Sequence, residues 1–167
     1  MIHDSDPFAT PELARSKVRR LRGRLAQTVT LWTAPGPAGL TVSSCLIGDG
    51  EPGRVLGLID DESTLWEAIS ASGVFAVTLL QPGQQQLADR FAGLLPAPAG
   101  LFKQGESWQE SSYGPVLGQT WAGCRLEQAK PFGWSQLVEG TIEEISLAES
   151  QNPLLYHRGS YELLRDR

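Results

Sequence analysis

The chain has 167 residues and a formal net charge of −5, from 14 basic and 19 acidic side chains. This acidic balance argues against a general nucleic-acid-binding protein, because such a protein needs a basic surface to follow a phosphate backbone. The hydrophobic fraction is 41%, as in ordinary globular proteins, and no uninterrupted apolar run approaches the roughly 20 residues of a membrane helix. We therefore expect one folded domain that binds neither nucleic acid nor membrane.

The N-terminal residues and the cysteines predict a cellular location. The first ten residues, MIHDSDPFAT, lack the basic start and apolar core of a secretory signal. Cys45 and Cys124 lie far apart in the sequence, and without a secretory signal they are more typical of two separate reduced thiols than of a disulfide. The expected location is the cytoplasm.

A basic segment lies near the N-terminus, where six of the 14 basic side chains fall between Arg15 and Arg24. Thr10 as N-cap and Pro11 at the first helical position predict a helix that runs through this segment. One rough apolar stripe runs along it: Leu13, Val18, Leu21 and Leu25. The segment is either an arm that binds polyanions or a helix that packs on the domain with its basic face in solvent. The acidic remainder of the chain favours the second interpretation.

Short β-rich runs separated by Gly and Pro follow this segment. They predict strands over residues 27–33, 40–47, 54–59, 74–80, 119–127 and 137–145, and a last strand or turn over 153–164. Thr64 and Glu67 resemble a capping box that begins one short helix, and Gly73 is placed to end it. Leu87 and Phe91, four residues apart, indicate a second short helix. Many strands with few helices favour an all-β barrel.

Two segments between these elements attract functional interpretations. The stretch GLTVSS places the hydroxyls of Thr41, Ser43 and Ser44 within four positions. Neighbours in a strand point to opposite faces, so Ser43 and Ser44 are either turn residues at a loop edge or residues that hold a polar ligand against a sheet. Residues 94–114 read as a long irregular excursion, which in a compact domain is often functional or a lid.

The side chains that usually carry catalysis are scarce. His3 and His157 are the only histidines and cannot supply a metal site of ordinary ligand count. There is no Gly-x-Ser-x-Gly elbow, no dinucleotide-binding glycine motif and no Walker loop. The acidic run 60–62 could bind a divalent cation, but carboxylates are more typical of a helix start. We expect no metal site and no catalytic side chain, so that a cofactor carries the chemistry if the chain is an enzyme.

The order of the segments resembles the flavin reductase-like family, whose fold is the FMN-binding split barrel. VTLWT, GLTVSS, RVLGLID, STLWEAISASGVFAVTLL, QQQLADRFAG and PLLYHRGSY occur in the order of the family's segments, over roughly residues 20–165. The resemblance implies a Greek-key split β-barrel with peripheral helices. Residues 1–25 would form a tail and the basic helix, and residues 26–167 the barrel domain. It also implies a homodimer with the flavin at the subunit interface.

The resemblance further implies which residues meet the flavin. The segment from 41 to 46 would line it, the start of the helix after the third strand would meet its phosphate, and the C-terminal segment would approach the flavin or the nicotinamide. Trp134 would stack on a flat ring, and one aromatic residue of the second helix would line the pocket. The implied contacts are Thr41, Val42, Ser43, Ser44, Cys45, Leu46, Ser63, Thr64, Phe91, Trp134, His157, Arg158 and Tyr161.

The implied activity is NAD(P)H-dependent reduction of FMN or FAD, with NADH or NADPH as co-substrate and with reduced flavin passed to a partner monooxygenase. An alternative of another class is a non-catalytic split-barrel module that holds flavin, haem or deazaflavin. Two features favour the module: the acidic run 60–62, and Gly133-Trp134-Ser135 where family members carry Gly-Asp-His. A relative of the pyridoxamine-phosphate oxidases is a third option, but it would require a more basic phosphate pocket.

Overall fold

The structure, a computed structural model, describes residues 16–103, 105–149 and 151–165. Thr10, Pro11 and Leu13 of the predicted basic helix lie outside these ranges. The helices of the described chain are α1 (Lys17–Gly23), α2 (Thr64–Ser72) and α3 (Gln85–Phe91). The strands are β1 (Gln27–Thr28), β2 (Thr30–Ala34), β3 (Ala38–Val42), β4 (Cys45–Gly48), β5 (Arg54–Asp60), β6 (Val74–Leu79), β7 (Trp121–Phe132), β8 (Ser135–Ser146), β9 (Leu154–His157) and β10 (Ser160–Leu163).

Seven strands form one antiparallel sheet in the order β3-β2-β6-β7-β8-β5-β4. Its two edges are β3 and β4, yet only Ser43 and Ser44 separate these strands in the chain. A connection this short spans at most about 11 Å between the flanking Cα atoms. The sheet must therefore curl until its edges come together, which gives a barrel that is split between β3 and β4. The predicted all-β split barrel with peripheral helices is confirmed.

The barrel interior is built around two stacked rings. Trp32 of β2 and Phe75 of β6 are both 0% exposed, and their ring centroids are 4.7 Å apart. A Cβ atom at Gly57 would lie 2.6 Å from the Trp32 ring, and one at Gly140 would lie 2.6 Å from the Phe75 ring. The two glycines therefore make room on β5 and β8 for rings that fill the barrel.

Helix α2 covers this core and begins one residue earlier than predicted. Leu65 and Ile69 are fully buried in the core cluster. The N-cap is Ser63, whose Oγ accepts a hydrogen bond from the Trp66 amide at 3.1 Å, so the prediction of Thr64 as the cap is wrong. Gly73 ends the helix with φ 74°, as predicted.

Helix α3 and helix α1 differ in how they meet the rest of the chain. Leu87 and Phe91 of α3 are buried, as the spacing predicted. By contrast, the apolar stripe of Val18 and Leu21 on α1 and of Leu25, two residues after it, is 59–75% exposed. The predicted packing of that stripe is wrong, because Arg19 and Arg20 occupy the half-buried side of the helix.

Three predicted strands have different bounds. Residues 40–47 form two strands on opposite sheet edges, because the barrel closes between them. The interval between the predicted strands 119–127 and 137–145 is mostly strand, since β7 and β8 form one long hairpin whose turn is only Gly133 and Trp134, with Gly133 at φ 58°. Residues 153–164 form the hairpin β9–β10, which joins β1 in a separate three-stranded sheet.

Candidate functional site

The three hydroxyls of the GLTVSS segment have three different environments at the split of the barrel. Thr41 Oγ1 donates to the carbonyl oxygen of Ala88 in α3 at 2.6 Å. Ser44 Oγ donates to the Leu58 carbonyl at 3.3 Å and accepts from the Leu58 amide at 3.1 Å. These bonds tie the connection between β3 and β4 (Ser43 and Ser44, called the corner below) to β5. The Ser43 hydroxyl makes no hydrogen bond with any residue that the structure describes. Thr41 and Ser44 thus hold the corner, and Ser43 remains available to a ligand.

The residues beside the corner differ in exposure. Val42 is 3% exposed, and its carbonyl oxygen accepts from Thr30 Oγ1 at 2.6 Å, so its side chain belongs to the core. Cys45 is half-buried, and Leu46 on the edge strand is 66% exposed. Cys45 and Cys124 are both free thiols, as predicted. Burial raises the pKa of the Cys45 thiol to about 11 and that of Cys124 to about 12, so both stay protonated at neutral pH.

The start of α2 lies close to this corner. Leu58, which bonds Ser44, precedes Asp60 by two residues, and Asp60 pairs with Ser135 at the start of β8. Ser63 caps α2 and is half-buried, and Thr64 follows it as an exposed residue of the first turn. The fold thus brings the corner, the start of α2 and the tip of the β7–β8 hairpin to one end of the barrel.

Trp134 lies at the tip of that hairpin and is 75% exposed. It adjoins Ser135, the partner of Asp60 in the ladder, which places the indole at the same end of the barrel as the corner. Phe132, on the other side of the turn, is 53% exposed. Exposed aromatic rings at this position are able to receive a flat ligand ring.

Phe91 is a core residue of α3 and is 2% exposed. Its ring packs edge-on against Phe102 and Trp108, at centroid distances of 5.0 and 5.8 Å. A Cβ at Gly39 of β3 would lie 2.7 Å from the Phe91 ring, so this glycine allows the close approach of strand and helix. Contact between Phe91 and a ligand stays a prediction.

The long excursion after α3 is packed down on that helix. Phe102 and Trp108 belong to the aromatic cluster around Phe91, and their own centroids are 4.8 Å apart. Arg90, only 8% exposed, forms an ion pair with Glu106 at 2.8 Å. Edge-to-face ring contacts of Phe102 and Trp108 and the ion pair of Glu106 therefore fasten these residues of the predicted functional or lid segment to α3.

The C-terminal residues divide between two neighbours. Tyr161 donates from its hydroxyl to Asp89 Oδ1 of α3, next to the residue that bonds Thr41. Arg158 has φ 52° in the β9–β10 turn, and its amide donates to the Gly23 carbonyl at 2.9 Å, which places His157 and Arg158 beside α1. The structure thus links Tyr161 to β3 through α3, and it places His157 and Arg158 at the end of β9 and in the following turn, beside α1. Sequence reasoning missed Asp89, because one carboxylate on a short helix gives no signal.

Replacing Tyr161 by phenylalanine is expected to cost about 1–2 kcal/mol of unfolding free energy near pH 8, since it removes a hydrogen bond to a carboxylate. Burial first, and then the hydrogen bond to Asp89, raises the pKa of Tyr161 well above its ordinary value. The stabilisation is therefore complete below the unfolded pKa of about 10 and is lost as the pH rises above it.

Urea unfolding of both forms at about pH 8, 10 and 11 checks this prediction, because the wild-type stability should fall more steeply with pH than that of Tyr161→Phe. An equal fall of unfolding free energy with pH in the two proteins would show that the hydrogen bond to Asp89 does not raise the pKa of Tyr161.

The described residues contain no group of three or more His, Cys, Asp and Glu side chains arranged to hold a metal ion. None of the helices in the ranges described above is long and apolar enough to cross a membrane. The corner, with one unpaired hydroxyl, an apolar edge strand and exposed aromatic rings, suits a flat ligand with a polar chain.

Comparison with known proteins identifies the family. The model of the flavin reductase like domain matches residues 22–165, and the chain belongs to this family. An NADH:FMN oxidoreductase of Rhodococcus erythropolis is 32% identical over 168 residues, covering 92% of this chain and 85% of the relative. The reductase component of 4-hydroxyphenylacetate 3-monooxygenase from Thermus thermophilus is 29% identical over 126 residues, covering 75% and 78%. The structure titled flavin reductase PheA2 in native state has a TM-score of 0.80 and 27% identity, and covers 89% of this chain and 97% of its own.

Proposed function

We propose that the protein is an NAD(P)H-dependent flavin reductase that reduces FMN or FAD. The supporting observation is the corner between β3 and β4, where Ser43 offers a hydroxyl without a partner among the described residues, in a chain of the flavin reductase-like family. When bound, the flavin supplies the redox chemistry, since it accepts a hydride from NADH or NADPH and a proton from solvent.

The contribution of the chain is positioning. Thr41 and Ser44 hold the corner through α3 and β5, so that the Ser43 hydroxyl meets the polar chain of the flavin at a fixed place. Backbone groups of 42, 45 and 46 would border the ring, and Trp134 would cover it from the hairpin. No side chain acts as catalytic acid or base in this proposal, so rate comes from orientation of the two reactants. Among the remaining predicted contacts, Tyr161 acts through α3, and roles for Phe91, His157 and Arg158 rest on the family resemblance alone.

The enzyme is proposed to act as a homodimer through the open edge of the sheet at β4. β4 is an edge strand, and Leu46 and Ile47 on it are 66% and 59% exposed. They line an apolar groove of about 260 Å³ with Leu56, and Arg54 and Glu139 lie at its rim. An unpaired strand with exposed apolar side chains is a surface that a second copy can cover. The corner directly precedes β4, so the flavin would then lie at the interface.

Ile47→Lys is expected to shift the protein from dimer to monomer in sedimentation velocity at the same concentration, because a charge in the groove opposes its burial. Leu163→Lys, a substitution at an apolar residue that is 53% exposed on β10, serves as the matched control and should remain dimeric. A monomeric wild type, or a dimer that survives Ile47→Lys, would contradict this interface.

The partner, the location and the domain boundaries are further parts of this proposal. The Thermus thermophilus relative is named as the reductase component of a monooxygenase, which supports release of reduced flavin to a separate monooxygenase here. Two free thiols support a cytoplasmic location. Residues 26–167 would form the flavin reductase domain, and the N-terminal residues 1–25 its tail and basic helix.

A purified preparation titrated with FMN and FAD, and then assayed for NADH and NADPH oxidation with and without added flavin, tests the proposed activity. The reductase is expected to bind flavin and to oxidise the nicotinamide nucleotide only when flavin is present. The second candidate, a non-catalytic binding module, is favoured by the acidic run 60–62 and would bind flavin without oxidation. A protein that neither binds flavin nor oxidises the nicotinamide nucleotide would contradict both candidates.

A further inference from the structure

The turn between β5 and α2 carries three consecutive carboxylates. Asp60, Asp61 and Glu62 are all exposed and stand directly before Ser63, the N-cap of α2. A helix start with free amides is a common place for a phosphate, because the amides and the helix dipole both favour an anion. Three carboxylates at the same place oppose it.

The amide and hydroxyl of Ser63 and the amide of Glu62 are already engaged within this turn. Asp60 Oδ1 accepts from the Glu62 amide at 2.9 Å, and the Asp60 carbonyl oxygen accepts from the Ser63 amide at 3.2 Å and from Ser63 Oγ at 2.7 Å. Ser63 Oγ in turn accepts from the Trp66 amide at 3.1 Å. The donors that would bind a phosphate at Ser63 are therefore occupied by the turn itself.

This turn is also where the far end of a flavin would arrive. Ser44 bonds Leu58, and the chain reaches Asp60 two residues later, so the turn adjoins the corner that the proposed function assigns to the flavin. If the ribityl chain ran from Ser43 toward the start of α2, its terminal group would lie near the carboxylates of 60–62.

The sheet register shows which cations could offset these carboxylates. Arg54, at the other end of β5, forms an ion pair with Glu139 at 3.4 Å. Lys130 pairs with Leu137, which pairs with Leu58, so Lys130 lies two strands from β5, or about 10 Å between Cα atoms. If a cation held the phosphate in spite of these carboxylates, Lys130 would be that cation.

We infer that the acidic turn Asp60–Glu62 makes this reductase gain nothing from the 5′-phosphate of its flavin, so that riboflavin is reduced as efficiently as FMN or better. The inference rests on the proposed function. The phosphate of FMN carries about −1.5 to −2 charge at pH 7, whereas the hydroxyl at the same place in riboflavin carries none. The two flavins share the ring and the ribityl chain, so the ratio of their kcat/KM values isolates the effect of the phosphate.

The test compares kcat/KM for riboflavin and FMN, with NADH saturating, in the wild type and in Asp61→Asn/Glu62→Gln. Asp60 is kept because its carboxylate bonds the Glu62 amide. The matched control, Glu110→Gln/Glu144→Gln, removes two charges from a groove at the far end of β8, since Glu144 is about 30 Å along the strand from Ser135.

The expected wild-type ratio of kcat/KM, riboflavin over FMN, is one or greater. Asp61→Asn/Glu62→Gln should raise kcat/KM for FMN by about threefold to tenfold and change that for riboflavin by less than about twofold, as expected for screened charges near a dianion. The control should leave both values unchanged, and added salt should raise the FMN value of the wild type more than the riboflavin value.

A wild type that prefers FMN by about fivefold or more would overturn the inference, as would a ratio that Asp61→Asn/Glu62→Gln leaves unchanged. A selective loss of FMN in Lys130→Met would overturn it too, by showing that Lys130 holds the phosphate. Dissociation constants from flavin fluorescence supply the same ratio without turnover, so binding without reduction contradicts only the proposed reductase activity. Absence of both binding and reduction of either flavin would overturn the two together.

Discussion

Trp32→Ala is expected to lower the free energy of unfolding by about 3–5 kcal/mol, among the largest effects of a single truncation in a core. Trp32 is 0% exposed and stacks on Phe75, and its Nε1 donates to Thr30 Oγ1 at 3.1 Å. Gly57 leaves space for this ring and no side chain that could fill the cavity. Urea unfolding followed by circular dichroism measures the loss.

A second substitution tests the packing directly. In the wild type, Gly57→Ala should be destabilising, because its Cβ would lie 2.6 Å from the Trp32 ring. In the Trp32→Ala background the same substitution should be nearly neutral, since the ring it would meet is absent. Equal costs of Gly57→Ala in the two backgrounds would show that Trp32 and Gly57 do not share this space.

Ser43→Ala and Ser44→Ala are expected to separate ligand binding from stability at the corner. Ser44→Ala should lower the free energy of unfolding by about 1–3 kcal/mol, because it leaves the Leu58 amide and carbonyl without their partner. Ser43→Ala should change stability by less than about 0.5 kcal/mol, as substitutions away from internal contacts do.

Flavin affinity, unlike stability, should be lowered by Ser43→Ala. Ser43→Ala is expected to raise the dissociation constant of FMN by about fivefold to tenfold, the equivalent of one lost hydrogen bond of about 1 kcal/mol. Fluorescence titration measures it on protein whose unfolding curve matches the wild type. Unchanged affinity in Ser43→Ala would remove the corner from the flavin site, while a large loss of stability would mean that Ser43 is a structural residue.

The sequence predicts well those elements whose signals are local. Leu87 and Phe91 lie four apart on α3 and are both buried, and Gly73 ends α2 with the positive φ that glycine favours. The cap of α2 lies one residue before the predicted one, because serine and threonine both cap helices and the capping-box spacing to Glu67 pointed to Thr64. Only the fold decides that Ser63 is the residue that bonds both Asp60 and Trp66.

The features that sequence reasoning missed depend on contacts between distant residues. Ser43 and Ser44 allowed a turn as one of two interpretations, but the apolar run through Cys45 to Ile47 continues the pattern of β3 and favoured a single strand over 40–47. Barrel closure imposes the break at Ser43 and Ser44. Pro131 lies outside the predicted strands, but the β7–β8 ladder continues past it at an exposed position near the hairpin end. Tyr161 and Asp89 are 72 residues apart, and neither residue type predicts their pairing.

The central claim is that flavin bound at this corner accepts a hydride from a nicotinamide nucleotide. Its most direct test is to mix the protein and FMN with NADH without oxygen, and to follow the flavin absorbance band near 450 nm in stopped flow. The reductase account predicts that the band bleaches at a rate that rises with protein concentration and returns when air is admitted. A flavin that binds but keeps its full absorbance in excess NADH and NADPH would contradict it.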